Sequence, residues 1–214
     1  MSLSILSAEE LLRAGWSPED IVRQTMALDH ETFGPMAPKI EGSLNQWVRL
    51  TQEHPQTVFV LLESQTEIVG YWHFVPLPKV EFELVKAGRL AVDELTAERV
   101  SHLAPGVFPI YFVAITTTAR ARNHNSLRLL FDSVFQRFER LALEGIYFNE
   151  MCASAYTVEG DRLCRKFDML PIYAGIEGTI YFRRLFPFPQ SRILRRHPLL
   201  VRLYGEHLGS RSAV

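Results

Sequence analysis

Cysteine is scarce in this chain, with only Cys152 and Cys164 among 214 residues. A small secreted fold held by several disulfides is therefore excluded. The seven histidines show no short repeated spacing and have no cysteine pairs beside them, so we expect no metal site. No apolar run approaches the roughly 18 residues that a membrane span needs, and we expect no membrane-spanning segment.

The first ten residues lack the basic start and the long apolar core of a signal peptide. A cytoplasmic location is therefore our expectation. Apolar residues make up 47% of the chain and charged residues 22%, which is typical of a soluble globular protein with a sizeable core. The length fits one large domain, or one domain with an added arm.

Positive charge is concentrated near the C-terminus. Residues 183–214 contain seven arginines and one acid, Glu206, so this segment carries +6, and the rest of the chain must carry −7 to reach the net charge of −1. Apolar residues are mixed among these arginines. The mixture favours an arm, 186–214, that docks on the acidic body of its own chain. In a homodimer it would dock on a second copy of the chain. The alternative is a surface for nucleic acid or anionic membrane, which we expect less.

Helical and strand patterns alternate along the chain. Ser7 and Ser17 are helix-capping residues, with Glu10 completing a capping box and Pro18 at a first helical position. Gly70 inside a strand pattern indicates a bulge or close approach by another backbone. The order of elements predicts a mixed α/β sheet flanked by helices. The predicted helices cover 7–15, 17–33, 43–53, 93–103, 126–143 and 158–167, and the predicted strands cover 57–63, 67–75, 80–85, 108–116, 146–151, 171–174 and 179–185.

One joint is the best place to look for function. The apolar run 108–116 is typical of a buried strand, and an amphipathic helix starts at Ser126. The loop between them has no glycine but carries Arg120 and Arg122 beside the open N-terminus of the helix. Free N–H groups at such an end attract phosphate, so the sequence predicts a phosphate-binding joint.

The order of elements and three local matches resemble the GNAT superfamily of acyl-CoA-dependent N-acyltransferases. The segment 67–71 is similar to the family's third strand, and Leu129-Leu130 stands where its helix after the CoA loop carries two leucines. The segment 163–169 is similar to its late helix, with Asp168-Met169 in place of Gly-Phe. The resemblance covers about 18–185. It implies a central twisted mixed sheet in one domain, 1–185, with 1–17 as an extension and 186–214 as the basic arm.

The resemblance also implies acetyl-CoA or a related acyl-CoA as co-substrate, with no metal. Alignment on the two leucines puts Ala121, His124 and Ser126 where the family has Arg or Gln, Gly, and Gly or Ala. The joint has thus lost its glycines but kept its positive charge. The implied pantetheine-binding residues are Ile115, Thr116 and Thr117, and the implied pyrophosphate-binding residues are Arg120, Arg122, Asn123, His124, Asn125 and Ser126.

Catalytic candidates follow from the same resemblance. The family often has a tyrosine that protonates the departing CoA thiolate, and Cys164 stands at that position, with Tyr156 as a competing donor. Cys164 also fits a small buried core residue. Candidate bases for the amine proton are Glu150, on the short strand 146–151, and the histidines His73 and His102.

The function implied is acyl transfer, most simply of acetyl, to an amine of a small molecule or peptide. Two alternatives stay open. The departures at His124 and Cys164 fit an inert ligand-binding or regulatory module that keeps the fold. The basic segment 183–214 fits an interaction protein that acts on nucleic acid or on a twin chain.

Overall fold

The structure is a computed structural model that describes residues 3–121, 124–175, 178–188 and 192–209, with only the backbone of residue 124. Helices and strands alternate along the chain. The helices are α1 Ala8–Arg13, α2 Pro18–Phe33, α3 Pro38–Glu41, α4 Leu44–Glu53, α5 Lys79–Lys86, α6 His124–Leu143, α7 Val158–Lys166 and α8 Pro198–Leu208. The strands are β1 Ser4–Ser7, β2 Val58–Leu62, β3 Ile68–Pro76, β4 Gly106–Thr117, β5 Ile146–Ala155, β6 Leu170–Gly175 and β7 Gly178–Arg184.

Seven strands form one mixed sheet in the order β1-β2-β3-β4-β5-β7-β6. The pair β4 and β5 is parallel, whereas β1 with β2, β2 with β3, β5 with β7 and β6 with β7 are antiparallel. This confirms the predicted mixed α/β sheet flanked by helices. The chain forms two compact units: unit 1 lies within 1–75, 90–100 and 113–130, and unit 2 within 76–89, 101–112 and 131–214.

The predicted capping residues start the helices of unit 1. The Ser7 side chain accepts the Glu10 N–H at 3.2 Å while the Glu10 carboxylate accepts the Ser7 N–H at 2.7 Å. Ser17 caps α2 in the same way through the Asp20 N–H at 3.0 Å. The strand β1 was not predicted, because four residues are too few to show a pattern. It lies within the predicted extension 1–17 and pairs with β2.

Two predicted elements between residues 79 and 107 are wrong. The predicted strand 80–85 is the helix α5, which buries Phe82 and Val85, one turn apart, and leaves Val80 72% exposed. The predicted helix 93–103 is replaced by two short 3-10 turns, Val92–Glu94 and Ala97–Arg99. The Gln46 side chain donates to the carbonyls of Val92 and Leu95 at 2.6 and 2.9 Å. This long-range bonding uses carbonyls that an α-helix would need for itself.

Gly70 in β3 marks a close approach, as predicted. A Cβ at this position would lie 2.9 Å from Thr117 Cγ2, 3.0 Å from the Thr116 carbonyl oxygen and 3.4 Å from Leu130 Cδ1. The β2–β3 register also shifts at this level, between Leu61 and Leu62. The absent side chain therefore lets the end of β4 and the second turn of α6 pack directly on β3.

The basic arm packs on unit 2 of its own chain. Leu200 and Tyr204 of α8 are fully buried, and the Phe148 N–H of β5 donates to Tyr204 Oη at 3.1 Å. Arg196 Nη1 lies 2.6 Å from Asp132 Oδ2, and the Leu200 N–H donates to a Glu139 carboxylate oxygen at 3.2 Å. These contacts fit docking on the chain's own acidic body; pairing with a twin stays a prediction.

We expect Gly70→Ala to lower the free energy of unfolding by about 1–3 kcal/mol, because the added methyl group meets backbone and a β-branched side chain that cannot move aside. The control is Gly205→Ala in α8, where the nearest atom, Phe186 Cζ, is 3.7 Å away. Alanine favours a helix, so this control should be neutral or stabilising by up to about 1 kcal/mol. Chemical denaturation measures both, and equal effects would contradict the close approach.

We expect Tyr204→Phe to cost about 1–3 kcal/mol of unfolding free energy, because it keeps the ring but leaves the buried Phe148 N–H without its acceptor. Hydrogen exchange of the Phe148 amide should quicken. The control is Tyr147→Phe, which keeps the ring stack of residue 147 on His207 at 3.9 Å. If the control costs as much as Tyr204→Phe, the hydrogen bond is not what anchors the arm.

Candidate functional site

The joint between β4 and α6 is closed by backbone-directed hydrogen bonds within unit 1. The Thr118 N–H donates to the Val69 carbonyl at 2.9 Å, and the Ala121 N–H donates to Thr118 Oγ1 at 3.2 Å. Ser126, in the first turn of α6, is fully buried and its hydroxyl donates to the Ala121 carbonyl. A small residue at 126 is thus a packing requirement, which fits the position where glycine or alanine was expected.

Acidic side chains of unit 1 reach this joint. Arg120 forms ion pairs with Glu67 and, at 3.4 Å, with Glu63, and its side chain is 56% exposed. The Ala119 N–H donates to Glu31 Oε1 at 3.3 Å. The predicted anion-binding role of Arg120 therefore competes with two carboxylates of its own unit.

Some of the other predicted pyrophosphate-binding residues lie outside the residues that the structure describes. Arg122, Asn123 and the side chain of His124 lie outside the described residues, and Asn125 is exposed. The backbone of α6 nevertheless begins at His124, so its first N–H groups belong to the predicted segment.

The predicted pantetheine strand is the end of β4. Ile115 is half-buried, and Thr116 Oγ1 lies 3.3 Å from Thr32 Oγ1 of α2. Thr117 is 2% exposed, and its hydroxyl oxygen has no hydrogen-bond partner among the described residues. A buried hydroxyl without a partner is costly, which makes this strand end a place where a polar ligand would be stabilising.

In unit 2, Tyr156 belongs to a cluster of hydroxyl groups at the end of β5. Tyr111 Oη lies 3.0 Å from Ser154 Oγ, and Tyr156 also hydrogen-bonds Tyr111. Burial, followed by the charge of Tyr156, raises the pKa of Tyr111 well above its usual value. Tyr156 is 38% exposed and is the most exposed member of this cluster. Sequence reasoning missed Tyr111 and Ser154; their signal was the parallel strand register, which is visible only in the fold.

Glu150 is engaged in an ion pair. Its Oε2 lies 2.7 Å from Lys79 Nζ, and Glu83 Oε1 lies 2.9 Å from the same nitrogen. These carboxylates raise the pKa of Lys79, with the hydrogen bond to Glu150 as the largest cause. The Glu150 carboxylate is thus already occupied by the Lys79 ammonium group, and this contact does not favour Glu150 as the base.

Cys164 packs in a small apolar cluster with Ala155, Met169 and Tyr181. Burial raises the pKa of its thiol to about 11. Such a thiol is a weaker acid than a CoA thiol near its ordinary pKa, so proton donation from Cys164 would run uphill. The geometry supports the interpretation of Cys164 as a buried core residue.

The histidine candidates lie in different surroundings. His73 is buried in unit 1, with its ring 5.4 Å from the Trp47 ring. Burial first, and then repulsion from His54, lowers the pKa of His73 to about 3, which makes it a poor proton acceptor. His102 is exposed and lies outside any helix or strand.

One acidic residue that sequence reasoning missed is Asp29 of α2. Burial is the largest cause that raises its pKa, to about 7, and the Tyr71 hydroxyl donates a hydrogen bond to its carboxylate. Its only sequence signal was a carboxylate on the half-apolar face of an amphipathic helix. No group of three or more candidate metal ligands occurs among the described residues.

No protein-family model matches the sequence, and no curated protein does either. Solved structures do match. Ard1 from Thermoplasma volcanium is 12% identical with a TM-score of 0.51, covering 87% of this chain and 99% of that one. The GphF GNAT-like decarboxylase, solved with isobutyryl-CoA, is 14% identical with a TM-score of 0.52, covering 86% and 100%. A mosquito arylalkylamine N-acetyltransferase, like 5b, is 13% identical with a TM-score of 0.51, covering 86% and 100%.

The chain has the GNAT fold. The expected resemblance is thereby confirmed at the level of fold, and these three structures share only 12–14% of their sequence with this chain. Because one of these neighbours is named a decarboxylase, the fold alone does not decide the reaction. In the described residues no helix is long and apolar enough to cross a membrane.

The departures from the GNAT pattern are accommodated locally. Asp168 follows α7 where the family has glycine, and it takes the left-handed conformation with φ 53°. Aspartate is among the few residues that tolerate this region. The helix end is therefore kept without glycine, as the first turn of α6 is kept by Ser126.

We expect the Cys164 thiol to react slowly in the folded chain. With its pKa raised from 9.0 to about 11, roughly 100-fold less thiolate is present at pH 8 than in the unfolded chain. Alkylation of a Cys152→Ala variant, which leaves Cys164 as the single thiol, should be at least tenfold slower without denaturant than with it. Rapid alkylation at pH 7 would instead mark an acidic, accessible thiol and return Cys164 to the list of donors.

Proposed function

We propose that this chain transfers an acyl group, most simply acetyl, from acyl-CoA to a small-molecule or peptide amine. The observation that carries the proposal is the β4–α6 joint, where buried Ser126 closes the first turn of α6 on the loop carbonyl of Ala121. This turn opens a long helix directly after a basic loop, which is an arrangement suited to a diphosphate. The Thermoplasma Ard1, the arylalkylamine N-acetyltransferase and the isobutyryl-CoA complex support the proposal through their shared fold.

The chemistry requires positioning more than reactive side chains. The amine nitrogen attacks the thioester carbonyl, the C–S bond breaks, and the leaving thiolate takes up a proton. In our proposal the end of β4 holds the pantetheine arm through backbone groups near Thr116, as an added strand would be held. Tyr156, which is exposed and hydrogen-bonded to Tyr111, is the proposed acid for the thiolate.

A second candidate is a ligand-binding module without catalysis. It is favoured by the acidic groups at the joint, since Glu63 and Glu67 pair with Arg120 and Glu31 accepts the Ala119 N–H. These contacts satisfy polar groups that would otherwise face a phosphate. A cytoplasmic location stays a prediction under either function.

Thermal denaturation with acetyl-CoA tests binding. Acetyl-CoA at one hundred times its Kd should stabilise the chain by about 2.7 kcal/mol. S-acetylpantetheine, which lacks the diphosphate, should stabilise it far less. Arg122→Ala should weaken acetyl-CoA binding about tenfold or more, because a charge-assisted hydrogen bond contributes roughly 1.5–3 kcal/mol. Arg120→Ala should weaken it less, since that guanidinium is already paired.

The matched control is Arg13→Ala, which removes the same charge from α1, where Arg13 pairs with Glu9. It should leave the acetyl-CoA shift unchanged. No stabilisation by acetyl-CoA contradicts the proposal. Stabilisation without amine-dependent CoA release, measured by thiol detection over a panel of amines, favours the non-catalytic module instead.

A further inference from the structure

Only one of the two carboxyl oxygens of Asp29 accepts a hydrogen bond inside unit 1. Tyr71 of β3 donates a hydrogen bond to its Oδ2, whereas Oδ1 is buried and has no hydrogen-bond partner among the described residues. A buried carboxylate oxygen without a donor is destabilising, and such exceptions are concentrated where a protein keeps a group ready for chemistry. The free lone pairs of Oδ1 are therefore the feature to explain.

The position of Asp29 connects it to the proposed acyl-CoA strand. Thr32, one turn further along α2, lies on the same helix face, and its Oγ1 is 3.3 Å from Thr116 Oγ1 of β4. Tyr71 directly follows Gly70, the residue that lets the Thr116 carbonyl approach β3. Asp29 therefore lies on the helix face that meets β4 at the proposed pantetheine segment.

The groups around Asp29 tune its proton affinity. Burial raises its pKa to about 7; the Tyr71 hydrogen bond lowers it, Glu41 of α3 raises it and His30 of α2 lowers it. His30 and Glu41 also contact each other, His30 Nε2 with Glu41 Oε1. Burial, then the charge of Asp29, raises the pKa of Tyr71 well above its usual value, so Tyr71 stays a donor. A carboxylate that titrates near neutrality is suited to accept a proton at working pH.

Resting on the acyl transfer proposed above, we propose that Asp29 Oδ1 accepts the proton of the acceptor amine and that Tyr71 is the positioning residue that orients the carboxylate. As the nitrogen forms its bond to the thioester carbon, one N–H proton passes to Oδ1. The C–S bond breaks, the electron pair leaves on sulfur, and the thiolate takes a proton from water. The products are the amide and CoA, and the Asp29 carboxylate is restored when its proton passes to solvent.

This assignment places the base on α2 rather than on β5 or the hairpin β2–β3. Glu150 on β5 is held by Lys79, and His73 on β3 is buried beside His54. Asp29 differs from Glu150 because its Oδ1 has no hydrogen-bond partner among the described residues, and from His73 because its pKa is raised rather than lowered. In addition, α2 contacts the end of β4.

The test compares Asp29→Asn, Tyr71→Phe and the matched control Asp93→Asn, whose side chain is exposed. Acetyl-CoA is the donor, and 2-phenylethylamine, spermidine and a tripeptide with a free amino group are the acceptor probes. In the wild-type chain we expect kcat/KM to rise with pH, with the midpoint of this rising limb of the pH profile near pH 7. Asp29→Asn should lower kcat by roughly 10²–10⁴-fold and remove this limb, while the thermal shift with acetyl-CoA stays unchanged.

Tyr71→Phe tests whether Tyr71 orients and stabilises the Asp29 carboxylate, because a purely structural role of Tyr71 would not change the pH profile. Its hydrogen bond stabilises the carboxylate, so its loss should move the limb to higher pH. Asp93→Asn should change neither kcat nor the limb. Full activity of Asp29→Asn with an unchanged limb overturns the assignment and leaves the acyl-transfer function standing.

A second measurement does not depend on turnover. A pKa raised from 3.8 to about 7 means that the folded state binds more protons than the unfolded state between these values, so wild-type stability falls as pH rises through this window. Asp29→Asn lacks this loss, and its stability relative to wild type should increase from pH 4 to pH 8. A flat difference overturns the role of Asp29 whatever the acceptor. Absence of any acetyl-CoA shift in the wild-type chain instead defeats the proposed function.

Discussion

The packing of β3 against the end of β4 is the constraint on which unit 1 depends. Gly70 carries no side chain, and the Thr116 carbonyl and the Thr117 methyl group fill the space where a Cβ would be. Leu130 of α6 closes the same contact, so the helix, its first turn and the strand end are fixed together. Tyr71, the next residue of β3, donates its hydrogen bond to Asp29. A single missing methyl group thus sets the geometry of the joint.

The sequence could predict those parts of the fold whose signals are local. The serine caps of α1 and α2 and the apolar run of β4 depend on neighbours a few residues away, and these predictions are confirmed. The segment 80–103 depends instead on distant partners. Residues 80–85 alternate like a strand, yet they form a helix that buries Phe82 and Val85. The Gln46 side chain, from another helix, binds the carbonyls of Val92 and Leu95.

The candidate site shows the same division. The joint was predictable because a buried strand, a basic loop and an amphipathic helix follow each other in the chain. The acidic partners of the joint were not predictable, since Glu31, Glu63 and Glu67 lie 53 to 88 residues from the loop groups that they contact. Asp29 and Tyr71 are 42 residues apart, and only their burial in one unit makes a proton acceptor of an ordinary helix carboxylate. The family resemblance pointed to Glu150 as a candidate base, but its ion pair with Lys79 could be seen only in the fold.

Asp29 and His73 of unit 1 both have shifted pKa values, and the two shifts have opposite effects on how stability depends on pH. His73, with a folded pKa of about 3 against an ordinary 6.5, makes the unit less stable as the medium is acidified. Asp29, with a folded pKa of about 7 against 3.8, makes it less stable as the medium becomes alkaline. Their ranges overlap between about pH 4 and pH 6.5, where the two slopes partly cancel. In this range the opposite contributions of the two groups make the free energy of unfolding of unit 1 depend less on pH. A variant that lacks one of the two groups would show the full pH dependence caused by the other.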